Sequence, residues 1–365
     1  MTSSDGSIGG AEVAVLTTAG SFAAGVFIVP RLLVADAGRA GILALLLVSL
    51  AAIGWTALIA RRSRRLDERN LPLALAMRGG VLGRAWLLLL ALFELMLAGA
   101  VLQQYATMAA AVILPGGSRA TIGIIIGLAA FTAARHRLQG LARTVYVSFV
   151  FAALLALGAF ILLLARSEQL AAVLPGPNLR AAPILLGALD SVVLYAGVTT
   201  IVTFLPAHMP AHRMPAVMVG ALVLSLLVII AYVSAVATGG PGYVLTQIWP
   251  VVSALRTLVL RSFVLNRIGL IVVLSWSAFV LTFAAVHLWA ATEYTCVAIG
   301  SQKRRPMLAL IATLVVLVYT AFGGAEAAIE TTLRNVITPA VVVVFLSWLL
   351  LAYLLTRRRP EVAGG

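Results

Sequence analysis

Long apolar runs recur along this chain, much longer than the alternation of a half-buried strand, and arginines, prolines and glycines punctuate them. Ten can be drawn, at about 11–35, 41–60, 85–113, 120–134, 145–166, 183–205, 214–237, 266–292, 306–323 and 336–356. A helix crosses a bilayer with about 20 apolar residues. The pattern therefore predicts an all-α polytopic membrane protein of about ten transmembrane helices. One long connection runs from about 239 to 265. It opens on Gly239-Gly240-Pro241 and contains Trp249-Pro250. Leu255, Leu258 and Val259 then alternate with Arg256 and Arg261, as in a helix lying at the interface over about 243–262.

Two runs are interrupted in a matched way. In the first, Thr17-Thr18-Ala19-Gly20-Ser21-Phe22-Ala23-Ala24-Gly25 is small and polar at mid-membrane and precedes Pro30. In the sixth, Ala196-Gly197-Val198-Thr199-Thr200 precedes Pro206. Small residues alone serve close helix packing. Broken helices at corresponding positions of two halves instead mark an inverted-repeat transporter fold with a midplane site. The expectation is a single transmembrane domain of five plus five helices, broken at helices 1 and 6. Its repeats would cover about 11–166 and 183–356.

Composition agrees and removes alternatives. The chain is 62% hydrophobic and 10% charged, against about 25% charged in soluble domains. The net charge of +14 would suggest nucleic acid in a soluble protein, but the basic residues sit in small clusters without interleaved aromatics. They read as topology determinants, and no nucleic-acid partner is expected. Arg61, Arg62, Arg64, Arg65, Arg69, Arg78, Arg84, Arg135, Arg137, Arg143, Arg213, Lys303, Arg304, Arg305 and Arg357–Arg359 all fall on one side. That side, with both termini, is expected to be cytoplasmic. The first ten residues have no basic region, so the first run reads as a retained span rather than a cleaved leader. Cys296 is the single cysteine, which leaves no pair for an intrachain disulfide.

An ionisable side chain at membrane depth is a functional candidate by default. Glu94 in the third run is one, either as a proton or cation site or as a hydrogen-bonded carboxyl near the interface. Asp190 and Arg267 lie toward one end of the sixth and eighth runs. They either pair as a gate or reach headgroup water separately. His287 and Glu293 fall toward the other end of the eighth run, Glu293 within reach of Lys303 or Arg304. Gln103, Gln104 and Tyr105 either line a ligand cavity or tie helices together. No catalytic, metal-site or phosphate-loop motif is present, so neither catalytic residues, metal nor cofactor is expected.

Three stretches carry a resemblance: Phe22-Ala23-Ala24-Gly25 with Val29-Pro30-Arg31; Phe204-Leu205-Pro206-Ala207-His208-Met209; and Ile248-Trp249-Pro250 with Arg267 and Trp276. Over nearly its whole length the chain resembles the B subunits of spore germinant receptors (GerAB type), within the amino acid–polyamine–organocation (APC) transporter superfamily. The resemblance implies a LeuT/APC-like fold and a subunit that senses a small nutrient germinant such as an amino acid. It would act in the cell membrane or spore inner membrane, with larger A subunits and lipoprotein C subunits. The implied ligand site comprises Ser21, Phe22, Ala23, Ala24, Gly25, Tyr105, Ala196, Gly197, Thr199, Thr200 and Trp276. This chain departs from its relatives in lacking a carboxylate at Thr199-Thr200 and at Ala207. A secondary transporter of amino acids or related organic cations is the alternative the same fold allows.

Overall fold

The computed structural model describes residues 8–63, 71–177, 179–204, 215–258, 268–321 and 330–357, and they contain helices and no strand. Helix α1 (Gly10–Phe22) begins where a Glu12 carboxylate oxygen accepts the Gly9 N–H at 2.8 Å, satisfying one of the free donors of a helix start. The chain then turns through residues 23–28 before α2 (Val29–Ala37). Pro30 stands in the first turn of α2, where its missing N–H costs nothing. A tight turn at Gly38, with φ at 54°, leads into α3 (Gly41–Ser63). Next come α4 (Leu71–Arg78), α5 (Gly80–Val112), α6 (Arg119–Ala134) and α7 (Leu138–Ala165).

The second half opens with α8 (Ala181–Asp190), a 3₁₀ turn over Ser191–Tyr195 and α9 (Ala196–Phe204). Helix α10 (Pro215–Thr246) follows, then α11 (Pro250–Arg256), α12 (Ile268–Ile299), α13 (Arg304–Ala321) and α14 (Thr338–Arg357). A π-helical turn, Leu333–Ile337, leads into α14.

Among the described residues, seven helical stretches are long and apolar enough to cross a membrane: Val29–Ser63, Gly80–Val112, Leu138–Ala165, Ala181–Phe204, Pro215–Thr246, Ile271–Ile299 and Glu330–Thr356. With α6 as a shorter apolar helix, they make this an integral membrane protein. Large apolar side chains stand exposed around the perimeter, among them Leu50, Leu128, Leu154, Leu222 and Leu350. In water such a surface would aggregate; in lipid it is matched to its solvent. The interior is formed by α1, α5, α9 and α12. Helix α12 packs most extensively on α5 and also touches α1, α6 and α7, while α1 lies against α7, α9 and α10.

Two local expectations are corrected. The irregular segment of the sixth run lies at Ser191–Tyr195, one turn earlier than the small residues suggested, and Gly197–Thr200 are helical. Gly197 serves close approach instead of unwinding. A Cβ built there would stand 1.6 Å from the Gly20 carbonyl oxygen. The interfacial helix expected over 243–262 is also not continuous among the described residues. Helix α10 kinks at Gly240, with φ at 76°, and runs on to Thr246, and α11 restarts at Pro250. Leu255 and Leu258 are buried and Arg256 is exposed, as the amphipathic pattern required.

Candidate functional site

The turn between α1 and α2 is held by short-range bonds. Ala24 N–H donates to Ser21 C=O at 3.0 Å, and Ile28 and Val29 N–H both donate to Gly25 C=O, at 3.0 and 2.8 Å. Gly25 is tightly enclosed: an added Cβ would lie 2.8 Å from Val29 and 3.2 Å from Val193. Aromatic rings brace the turn from one side. Trp276 is fully buried, stacked on Phe22 at 5.8 Å and tilted against Phe27 at 4.8 Å, with Phe279 and Phe160 around it.

On the other side lies a cavity of about 30 Å³, lined by Ala24, Ile28, Gln103, Gln104, Val193 and Leu333 among others. That volume holds a water or two. Two nearby polar atoms are buried without a hydrogen-bond partner, Gln104 Nε2 on its wall and Ser21 Oγ in the last turn of α1. Of the expected ligand residues, Ala24 reaches this cavity, whereas Phe22 and Trp276 belong to the aromatic brace. Tyr105 is buried on α5, on the side of Ser277 of α12. Thr199 turns back onto the Ala196 carbonyl at 2.7 Å. Ala23 and Ala196 are buried packing positions.

Deeper along α5 is an ionisable pair that sequence reasoning half found. Glu94 is buried, 14 residues into α5, about 21 Å from its start at 1.5 Å per residue. One carboxylate oxygen, Oε1, accepts from Thr200 Oγ1 at 2.7 Å. The other, Oε2, is hydrogen-bonded to His287 Nδ1. His287 Nε2 in turn reaches the Gly20 carbonyl at 2.9 Å, and the Phe283 ring covers the imidazole at 4.0 Å between centroids. Thr203 donates to the Thr200 carbonyl at 2.9 Å and pairs with the Tyr294 hydroxyl at 3.1 Å. One cluster thus joins α1, α5, α9 and α12 where Gly20 and Gly197 touch.

The sequence names His287 but gives it no role, because it ends the eighth run at 292. The helix continues to Ile299, which places His287 well inside it. Glu293, near that end, pairs with Arg304 Nε at 2.6 Å as expected.

At the opposite end of the site an ionic cluster joins α2, α8 and the start of α14. Arg334 donates to both oxygens of Asp36, at 3.1 and 3.2 Å, and lies 3.1 Å from Asp190. Glu330 bridges Arg334 at 3.7 Å and Arg31 at 3.5 Å. The expected partner of Asp190, Arg267, lies outside the described residues, as do Leu205–Met209 of the second resemblance stretch; the partner found is Arg334. A second cavity of about 550 Å³, lined by Arg31, Ile248, Glu330, Arg334 and Asn335, shares Ile28 with the small one. Ile28 lines both, which places the larger vestibule next to the cavity at the helix break.

This architecture is that of LeuT-like transporters. The crystal structure of MhsT in complex with L-phenylalanine superposes with a TM-score of 0.66 at 15% identity, covering 96% of this chain and 92% of that one. The Eremococcus coleocola manganese transporter, in complex with an aromatic bis-isothiourea substituted compound, gives 0.60 at 12% identity over 94% and 78%. The sequence itself matches the family described as spore germination protein over residues 8–323, and the chain belongs to that family. No curated protein sequence matches it.

Proposed function

We propose that this chain is the germinant-sensing membrane subunit of a spore germination receptor. It binds a small nutrient, an amino acid in the first instance, at the midplane beside the helix breaks. Both termini lie on the cytoplasmic side, which puts the Arg334 cluster and its vestibule on the outer face. The A and C subunits of such a receptor are its partners, and the cell or spore inner membrane is its location.

The observation that supports this most directly is the cavity at the first break. It shares Ile28 with a vestibule, and neutral hydrogen-bonding groups line it: the Gln103 and Gln104 amides, with Gln104 Nε2 unpartnered. Such groups suit a zwitterionic or neutral molecule better than a net charge. At about 30 Å³ the cavity must widen to admit an amino acid, so entry requires the α1–α2 turn and the Leu333–Ile337 turn to part. Binding and opening are then one event, as a sensor needs.

The test is Ala24→Leu, which fills the cavity. Spores relying on the variant should lose nutrient-triggered germination at unchanged protein abundance, while the lipid-facing control Leu50→Ala germinates normally. Intact germination in Ala24→Leu would rule out this site.

The buried Glu94–His287 pair favours a second reading, a secondary transporter. Reconstituted vesicles separate the two. Uptake of an amino acid that collapses in Glu94→Gln supports transport; absence of uptake by protein that still binds supports sensing.

A further inference from the structure

A peptide carbonyl can only accept, so the 2.9 Å contact between Gly20 and His287 requires a proton on Nε2. Nδ1 faces Glu94 Oε2, and a hydrogen bond there requires one more proton, on either the imidazole or the carboxyl. The pair is then neutral overall, as imidazolium with carboxylate or as imidazole with carboxylic acid. Thr200 Oγ1 donates to Glu94 Oε1 in either form.

We infer that Glu94 and His287 bind a single shared proton, and that this proton latches α12 to both α1 and α5.

The latch follows from what remains when the proton leaves. If Nε2 keeps its hydrogen, a bare Nδ1 lone pair faces a carboxylate and the His287–Glu94 contact is repulsive. If the imidazole changes tautomer to restore that bond, a bare Nε2 lone pair faces the Gly20 carbonyl and the α1 contact is repulsive. No tautomer satisfies both partners, so deprotonation must release α12 from α5 or from α1. Adding a second proton places a net positive charge in the same buried site, which apolar surroundings oppose.

Among the described residues the neighbours offer little to compensate. Tyr294 is an ionisable group near Glu94, its hydroxyl engaged by Thr203, and the other charge on α12, Glu293, is paired with Arg304. Helix α9 carries no charged side chain, α1 carries only Glu12, two turns from Gly20, and the other charge on α5 is Arg84. Gly20 is also the residue against which Gly197 packs, so a released α1 disturbs α9 as well. The proton therefore sits at the one point where both broken helices are held.

Two measurements test this, and neither needs a nutrient. The first is ¹⁵N NMR of histidine-labelled protein in phospholipid nanodiscs, with the His287 signals identified by their loss in His287→Gln. Wild-type protein should show Nε2 protonated and Nδ1 in a hydrogen bond whose proton it shares with Glu94. Glu94→Gln should keep Nε2–H and convert Nδ1 to a plain acceptor, because the new amide can donate to it. Identical His287 spectra in wild type and Glu94→Gln, or a proton on Nδ1 with none on Nε2, would overturn the proposal.

The second is maleimide labelling of Ala24→Cys in a Cys296→Ala background as pH is raised. The thiol's own ionisation is common to both backgrounds. The rate relative to Glu94→Gln, which has the bonds but no removable proton, should therefore rise severalfold with pH. A constant ratio would show that the proton holds nothing.

Discussion

Removing Arg334 should open the vestibule toward the helix break. Its guanidinium neutralises Asp36 and Asp190 at 3.1 Å and is supported by Glu330, which ties α2, α8 and the start of α14 together. The side chains are partly buried, with Arg334 at 31%, Asp36 at 15% and Asp190 at 17% exposure. Fully exposed pairs contribute about 0.2–1 kcal/mol. Breaking a fully buried pair costs about 3–5 kcal/mol. Two carboxylates held by a two-pronged contact at intermediate burial place the loss near ~2–3 kcal/mol, since both then repel across the closed interface. Every 1.4 kcal/mol is tenfold, so the open fraction should rise about 30- to 150-fold. The assay is labelling of Ala24→Cys in a Cys296→Ala background by a soluble maleimide, whose rate follows the open population while the closed form dominates. Arg334→Ala should accelerate it by that factor. Arg334→Lys, which keeps the charge and loses the fork, should fall between. Labelling within about twofold of wild type in Arg334→Ala would refute the reasoning, because the margin worked from the ion pairs is at least tenfold larger.

Two further outcomes follow from packing. Gly197→Ala puts a methyl 1.6 Å from the Gly20 oxygen, against backbone, and should cost more than the ~1–3 kcal/mol usual for overpacking. Loss of folded protein in detergent melts checks it, with Gly54→Ala as a control at which nothing lies within 4 Å. Trp276→Ala empties the centre of the aromatic brace and should destabilise by about 3–5 kcal/mol, read from the same melts.

The sequence announced the membrane and the two interrupted helices because both are local features: apolar length, and small residues at mid-run. It also exposed Glu94, since one carboxylate in an apolar stretch is conspicuous. Its partner was less visible. His287 looked peripheral only because Glu293 seemed to end the helix, whereas Ala298 and Ile299 continue it. The role of Gly197 was misread for a similar reason. A glycine looks alike in sequence whether it frees the backbone or admits another backbone, and only the position of the Gly20 carbonyl distinguishes the two. Of the Arg334 cluster, only Asp190 was legible, as half of a gate pair with a different arginine. The other members, at residues 31, 36, 330 and 334, each read as an ordinary charge at the end of an apolar run. Pairing across that separation is set by tertiary packing.

The claim of a small-molecule site beside the first helix break is tested most directly by ligand-dependent thermal stability of the purified protein, wild type against Ala24→Leu, over a panel of amino acids. At about 100 times its dissociation constant a ligand stabilises by about 2.7 kcal/mol, an ample shift for detection. The account predicts that at least one amino acid stabilises the wild type and leaves Ala24→Leu unmoved. Equal stabilisation of both proteins, or none of the wild type across the panel, would contradict it.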